Sequence, residues 1–303
     1  MTERRTTKRM TAADFEHGNL SANTRRAYAA DIKHFRKHGG KIPTNADAII
    51  AYLADQSGWL SVATLNRRLM AIRQAHTAMN LPSPLDDPRI NSVLRGIKRE
   101  YGTAQHQAKP VLRRHLRKML KPMGKSPLDL RDKALLLLGF AGGFRRSELM
   151  ALNIDDIERV KEGFYIRLRG SKTDQEKKGR TVAIPQLTSS LCAVAAVERW
   201  LRYSHIDDGP IFQSVSRSGK PTGIRLADGY VSVILKQRLT AAGIDASDYS
   251  AHSLRAGLVT EATKAGISTA KIMAQTGHKS FAMLSRYIRD ADLFAGNAAR
   301  AVM

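Results

Sequence analysis

Acidic residues are scarce in this chain: 27 Asp and Glu face 50 Lys and Arg, leaving a formal net charge of +23 over 303 residues. Cysteine is nearly absent. The one thiol, Cys192, excludes an internal disulfide and a cysteine-based zinc site. Its setting in the run Leu191-Cys192-Ala193-Val194 reads as a buried structural thiol, not a nucleophile. No stretch approaches 18 apolar residues, and the polar start lacks the apolar core of a signal peptide. A membrane partner is therefore not expected, and the expected location is cytoplasmic. There is no Walker-type loop and no His/Cys or acidic cluster at metal-ligand spacing, so neither a cofactor nor a metal is expected.

What is present is an excess of positive charge on an otherwise ordinary composition. Hydrophobic residues make up 43% and charged residues 25%, as in a globular protein long enough for two domains. A field of that sign attracts polyanions and makes their binding salt-sensitive. The length argues against a ribosomal-type protein, and no basic amphipathic anchor supports an anionic membrane surface. Nucleic acid is the expected partner.

Residues 1–19 carry Arg4, Arg5, Lys8 and Arg9 and read as a flexible basic arm or a fraying helix. From residue 20 to 100 the pattern predicts a small all-helical domain. Ser21 or Asn23 caps a helix that buries Tyr28, Ile32 and Phe35 and stops at Gly39-Gly40. Thr44 with Asp47 resembles a capping box for a second helix through Ile49, Ile50 and Leu53. A third follows Ser61 with Leu65, Leu69, Ile72 and Met79, and a fourth opens at Asp87-Pro88. Residues 61–115 hold ten Lys and Arg against three Asp and Glu. Arg67, Arg68 and Arg73 on the third helix, with Arg95, Lys98 and Arg99 on the fourth, are the candidate phosphate contacts. Residues 101–111 are polar, lack apolar periodicity and predict a linker. Residues 112–303 predict a second domain. Its central core helix runs Leu128 to Phe140, and its antiparallel hairpin pairs residues 164–169 with 181–184. Asp155 and Asp156 read as a helix or turn surface, and helices are expected near residues 188–203 and from Tyr230 onward.

Within this second domain a set of chemistry-bearing residues recurs at short, definite spacings. Arg145 follows a glycine break at a helix start, with Glu148 three residues on to brace it. Lys172 lies in the hairpin turn. His252 and Arg255 are three apart, on one helix face; His278 follows Gly277, and Tyr287 comes nine residues later. Two guanidinium groups match phosphoryl oxygens bidentately, and a phenol can attack phosphorus if its proton is removed. The arrangement predicts phosphoryl transfer on DNA.

The segment Gly143-Phe144-Arg145-Arg146-Ser147-Glu148-Leu149, Lys172, the His252-to-Arg255 motif, Gly277-His278 and Tyr287 together resemble the signature of the tyrosine recombinases, the phage-integrase and Cre-like enzymes. The resemblance covers about residues 112–303 strongly and the helical N-terminal part more weakly. It implies a mainly α protein with a small antiparallel β element, a helical core-binding domain and a catalytic domain forming a C-shaped clamp on duplex DNA. It implies a 3′-phosphotyrosyl intermediate, with Arg145 and Arg255 as the clamp, Lys172 as general acid, His252 assisting the proton transfer at Tyr287, and His278 hydrogen-bonding the phosphate. It further implies a synaptic tetramer on a specific recombination site, linked by a docking helix at about residues 290–303. Three positions depart from the pattern: Phe144, Arg146 and Ala256. Arg146 leaves open which of two arginines faces the phosphate. A tyrosine-type topoisomerase, a telomere resolvase and a catalytically idle DNA-binding regulator remain as alternatives, and accessory proteins are not legible.

Overall fold

The computed structural model describes residues 20–104, 107–169, 179–282 and 284–285. Outside the described residues lie the segment 1–19, Lys172, Tyr287 and residues 290–303. The chain forms two compact units that divide between His106 and Gln107.

The first unit has four helices: α1 (Ala22–Lys37), α2 (Ala46–Gln56), α3 (Val62–Ala78) and α4 (Pro88–Tyr101). Ser21 caps α1 by accepting the Thr24 N–H at 3.1 Å, Ser61 caps α3, and Asp87 caps α4 ahead of a first-turn proline. The cap of α2 is Asn45 and not Thr44, whose backbone N–H instead donates to His76 Nε2 at 3.0 Å. Phe35, Ile49, Leu53, Leu65, Leu69, Ile72 and Ile90 are fully buried and form the core. Met79, expected to join them, is exposed because it stands past the end of α3 as its C-cap.

One candidate phosphate contact is corrected here. Arg68 is 8% exposed. It lies three residues after Leu65 and four before Ile72, which puts it on the buried stripe of α3. Its NH1 donates to Tyr52 Oη at 2.7 Å, and its Nε lies 3.5 Å from Asp31, a carboxylate only 2% exposed. Arg67 is half-exposed but makes two 2.8 Å bonds to the same carboxylate, and Arg73 reaches Asp86 at 3.3 Å. Arg95, Lys98 and Arg99 are exposed and form no ion pair with the described residues.

The second unit begins by pinning the end of the expected linker to itself. The Lys109 N–H donates to Asp248 O at 2.8 Å and the Val111 N–H to Ser253 O at 2.9 Å. Helices α5 (Arg113–Leu120) and α6 (Pro127–Gly142) follow. On α6 the run Ala134 to Leu138 is at most 2% exposed, as expected of a helix enclosed on every side. Around it pack α8 (Ala193–Ser204), α10 (His252–Lys264) and the strand β3 (Arg180–Pro185). The sheet is antiparallel in the order β1-β2-β3, with β1 (Ile157–Val160) and β2 (Gly163–Leu168) completing it. The hairpin was legible; β1 was not, since four residues with Glu158 and Arg159 facing solvent carry too little pattern. Asp156 is buried, not on the surface, and pairs with Arg169 at 2.5 Å. A polar ribbon of β4 (Gln213–Val215) and β5 (Pro221–Arg225) was likewise unforeseen. The second unit also contains helices α7 (Arg146–Ala151), α9 (Tyr230–Ala241) and α11 (Thr269–Thr276). Among the described residues no helix is long and apolar enough to cross a membrane.

Candidate active site

The site is assembled by two tight turns and one helix start. Helix α6 ends in Gly143, at φ +56, and a Cβ on the preceding Gly142 would stand 2.1 Å from the Phe144 ring. The chain therefore folds back over Phe144, which is 3% exposed and belongs to the core. That turn delivers Arg145 immediately before α7. Its NH1 donates to Glu148 Oε1 at 2.5 Å and its NH2 to Gly277 O at 3.4 Å, while its backbone N–H donates to Glu148 Oε2 at 2.9 Å. Glu148 is buried and so fixes both the side chain and the backbone of Arg145. Arg146 turns the other way and pairs with Asp228 at 3.2 Å, half-exposed. Arg145 is the arginine that enters the cluster.

Helix α10 opens with His252, exposed at the edge of the cluster, and places Arg255 one turn deeper at 1% exposure. Arg255 NH1 donates to Gly143 O at 2.7 Å and to Thr276 O at 2.5 Å. One guanidinium thus ties the turn before Arg145 to the turn before His278. Gly277, at φ +70, ends α11 and lets the backbone approach Arg180: a Cβ there would lie 1.8 Å from Arg180 NH1. Next to it, His278 is 7% exposed with Nδ1 2.7 Å from Thr276 Oγ1. That hydroxyl donates its single proton to Ile272 O at 2.7 Å, so the contact to His278 is satisfied by a proton on Nδ1. Burial, followed by the charges of Arg255 and Arg145, holds the His278 pKa down at about 3, and the imidazole is neutral at neutral pH. The same causes in the same order lower His252. Among the described residues no group of three or more His, Cys, Asp and Glu side chains is placed to hold a metal ion.

The family model described as the phage integrase family matches residues 109–293, well over half of the chain. The chain belongs to the phage integrase family. An integrase/recombinase xerD homolog from Selenomonas ruminantium is 36% identical over 286 residues, covering 91% of this chain and 84% of that protein. XerH site-specific recombinase, in a post-cleavage complex on a palindromic difH substrate, shares the fold. Its TM-score is 0.67 at 18% identity, over 88% of this chain and 76% of that one. A lambda integrase tetramer bound to a Holliday junction matches at a TM-score of 0.59 and 18% identity, over 92% of this chain and 75% of that one.

Of the site residues read from the sequence, this integrase-family chain brings Arg145, Glu148, His252, Arg255 and His278 into one cluster. Lys172 and Tyr287 lie outside the described residues. Arg180, the first residue of β3, was missed. Its NH2 donates to Glu148 Oε2 at 3.2 Å, and its guanidinium is charge-coupled to His278. It was hidden among basic residues after the hairpin turn, with no partner visible at short range; its bond to Glu148 and its tight approach to Gly277 distinguish it only in the folded chain.

The depressed histidines set a pH response. His34, His115, His252 and His278 are all held below the ordinary 6.5, each by burial first and by neighbouring cations next. A folded-state pKa below the unfolded one means that the unfolded chain binds more protons once pH drops below about 6.5. Stability is therefore full above that value and falls on acidification, by up to about 1.4 kcal/mol per pH unit for the buried His278 and by less for the more open histidines. Thermal melts between pH 7 and pH 4.5 should show a falling Tm, and His278→Asn, which keeps a donor for Thr276, should make the fall shallower. An unchanged slope in that variant would contradict the assignment of a neutral His278.

Proposed function

We propose that this protein is a site-specific DNA recombinase that cuts and rejoins duplex strands through a 3′-phosphotyrosyl link, without ATP or metal. One observation carries the reading: residues from three separate stretches, Arg145 with Glu148, His252 with Arg255, and Gly277 with His278, converge through Arg255 and Arg145 on a single cationic cluster. A cluster of fixed cations stabilises a phosphoryl transition state that gathers negative charge. Tyr287 Oη attacks phosphorus and forms the new P–O bond as the bond to the 5′-oxygen breaks. His252 assists removal of the tyrosine proton, and Lys172 protonates the departing oxygen. Arg145 and Arg255 clamp the non-bridging oxygens, and Glu148 orients Arg145. His278 carries its resting proton on Nδ1, so it donates to the phosphate only after taking up a second proton at Nε2, which the arriving anion favours.

Assembly on DNA as a tetramer fits the same reading. In the second unit an apolar groove of about 640 Å³ runs between Leu137, Phe140, Leu258 and Ile272 and is edged by Arg117 and Lys271. Residues 290–303 of a second copy suit it, with Leu293, Phe294, Ala298 and Val302 at helical intervals and Asp290 and Asp292 to meet the cations.

Covalent trapping on nicked suicide duplexes drawn from the DNA flanking the chain's own reading frame tests both parts. The wild type should leave an adduct that vanishes in Tyr287→Phe. A chain ending at residue 289 should still form the adduct while losing the higher-order complexes. An adduct that survives Tyr287→Phe would overturn the site, and full assembly by the shortened chain would overturn the docking.

A further inference from the structure

The convergence of two arginines on one buried carboxylate is not explained by bracing alone. Glu148 is 4% exposed, and its two oxygens receive the Arg145 guanidinium at 2.5 Å, the Arg145 backbone N–H at 2.9 Å and the Arg180 guanidinium at 3.2 Å. A carboxylate paired with a single arginine would cancel the charge that the arginine is there to offer. With Arg180 also on Glu148, the three groups keep a net positive charge. Adding Arg255, three guanidinium groups less one carboxylate leave a surplus of two, which matches the double negative charge of a phosphoryl group under attack. Without Arg180 the surplus is one.

Arg180 is held in this position at some cost. Burial lowers its pKa, while Glu148 acts in the opposite direction. Its Nε is buried and meets no acceptor among the described residues. Its NH1 lies against the backbone of Gly277, where any side chain would collide with it. A guanidinium stays charged at every physiological pH. A charge confined this closely, next to Arg145 and the turn that carries His278, is costly unless an anion is to be met there.

We propose that Arg180 is a positioning residue of the strand-cleavage site, which neutralises Glu148 so that Arg145 keeps its full charge for the scissile phosphate. This rests on the recombinase reading above. The role acts through Glu148, and it makes Arg180 and Glu148 interdependent in a way that a purely structural contact does not.

The experiment measures single-turnover adduct formation on a saturating suicide duplex, for wild type, Arg180→Gln, Arg180→Lys, Glu148→Gln and the double variant Arg180→Gln/Glu148→Gln. Thermal melts of each run alongside. Arg180→Gln should slow cleavage on the order of tenfold to a hundredfold, less than loss of a direct phosphate donor. Arg180→Lys keeps the charge and should retain most of the rate even if the planar contact to Gly277 is lost. In the double variant no carboxylate remains to be offset, and the rate should recover to within a few-fold of Glu148→Gln alone. A second readout isolates charge: with a neutral methylphosphonate at the scissile position, Arg180→Gln should lose little relative to wild type. Equal losses on the charged and neutral substrates, or losses that multiply in the double variant, would assign Arg180 a merely structural role and overturn the inference. An unaffected Arg180→Gln would overturn it as well. A wild type that forms no adduct overturns the recombinase reading itself, and is distinguished from the other outcomes by that control.

Discussion

Arg255→Lys should lower strand cleavage by about 100- to 1000-fold while leaving the protein folded, and Arg255→Ala should cost both activity and stability. The two expectations follow from two duties of one side chain. Its NH1 satisfies the carbonyls of Gly143 and Thr276, at 2.7 and 2.5 Å, in a site where Arg255 is 1% exposed. A lysine ammonium reaching the same depth can satisfy carbonyls, but it lacks the planar fork that meets two phosphoryl oxygens together. Alanine leaves two buried carbonyls without that donor, at about 1–3 kcal/mol each, and opens a cavity between the turns that present Arg145 and His278. Single-turnover trapping with parallel thermal melts separates the effects. Wild-type cleavage by Arg255→Lys would remove Arg255 from the phosphate clamp. An unchanged Tm for Arg255→Ala would show that the tie between the two turns holds nothing together.

The second large effect lies in the first unit. Asp31→Ala should destabilise that unit by about 3–5 kcal/mol, because it strips the carboxylate from the buried Arg68 and from the bidentate Arg67. For a unit of this size such a loss lowers Tm by more than about 12 °C. Arg68 retains its bond to Tyr52 and a contact with His34 at 2.8 Å, but neither supplies a countercharge. Replacing both ends of the pair, Asp31→Ala with Arg68→Met, should recover much of the loss, since the charge and its partner leave together. Arg95, Lys98 and Arg99 provide the contrast. Their exposed side chains, changed together to alanine, should leave Tm in place, weaken DNA binding and flatten its dependence on salt by about 0.9 per lost phosphate contact. A first-unit Tm that does not move in Asp31→Ala would return Arg68 to the list of surface candidates.

The comparison of Arg68 with Arg145 shows where a sequence stops being readable. Both are arginines on or beside helices in a strongly basic chain. Arg145 is identified by its immediate neighbours, the glycines before it and Glu148 after it, and the structure uses those same neighbours to hold it. Arg68 is settled by Asp31 and Tyr52, 37 and 16 residues away along the chain. Arg67, Arg68 and Arg73 do not share one solvent face of α3: Arg68, three after Leu65 and four before Ile72, falls on the apolar stripe, and the helical period is a better guide to its burial than the net charge of the chain. Arg180 is the same case in reverse. Its neighbours along the chain are unremarkable, and its partners Glu148 and Gly277 come from elsewhere.

By itself the sequence determined the family, the helical content, the enclosed α6, the β2–β3 hairpin and the grouping of Arg145, Glu148, His252, Arg255 and His278. Each of these is written in spacings of a few residues, where helix and strand periods and turn glycines act directly. Only the tertiary structure decided that Arg146 turns away to Asp228, that Arg68 is internal, that His278 rests neutral with its proton on Nδ1, and that Arg180 shares the carboxylate of Glu148. Burial and the pairing of distant charges decide these matters. Neither has a period along the chain, because both depend on which segments the folded core brings together.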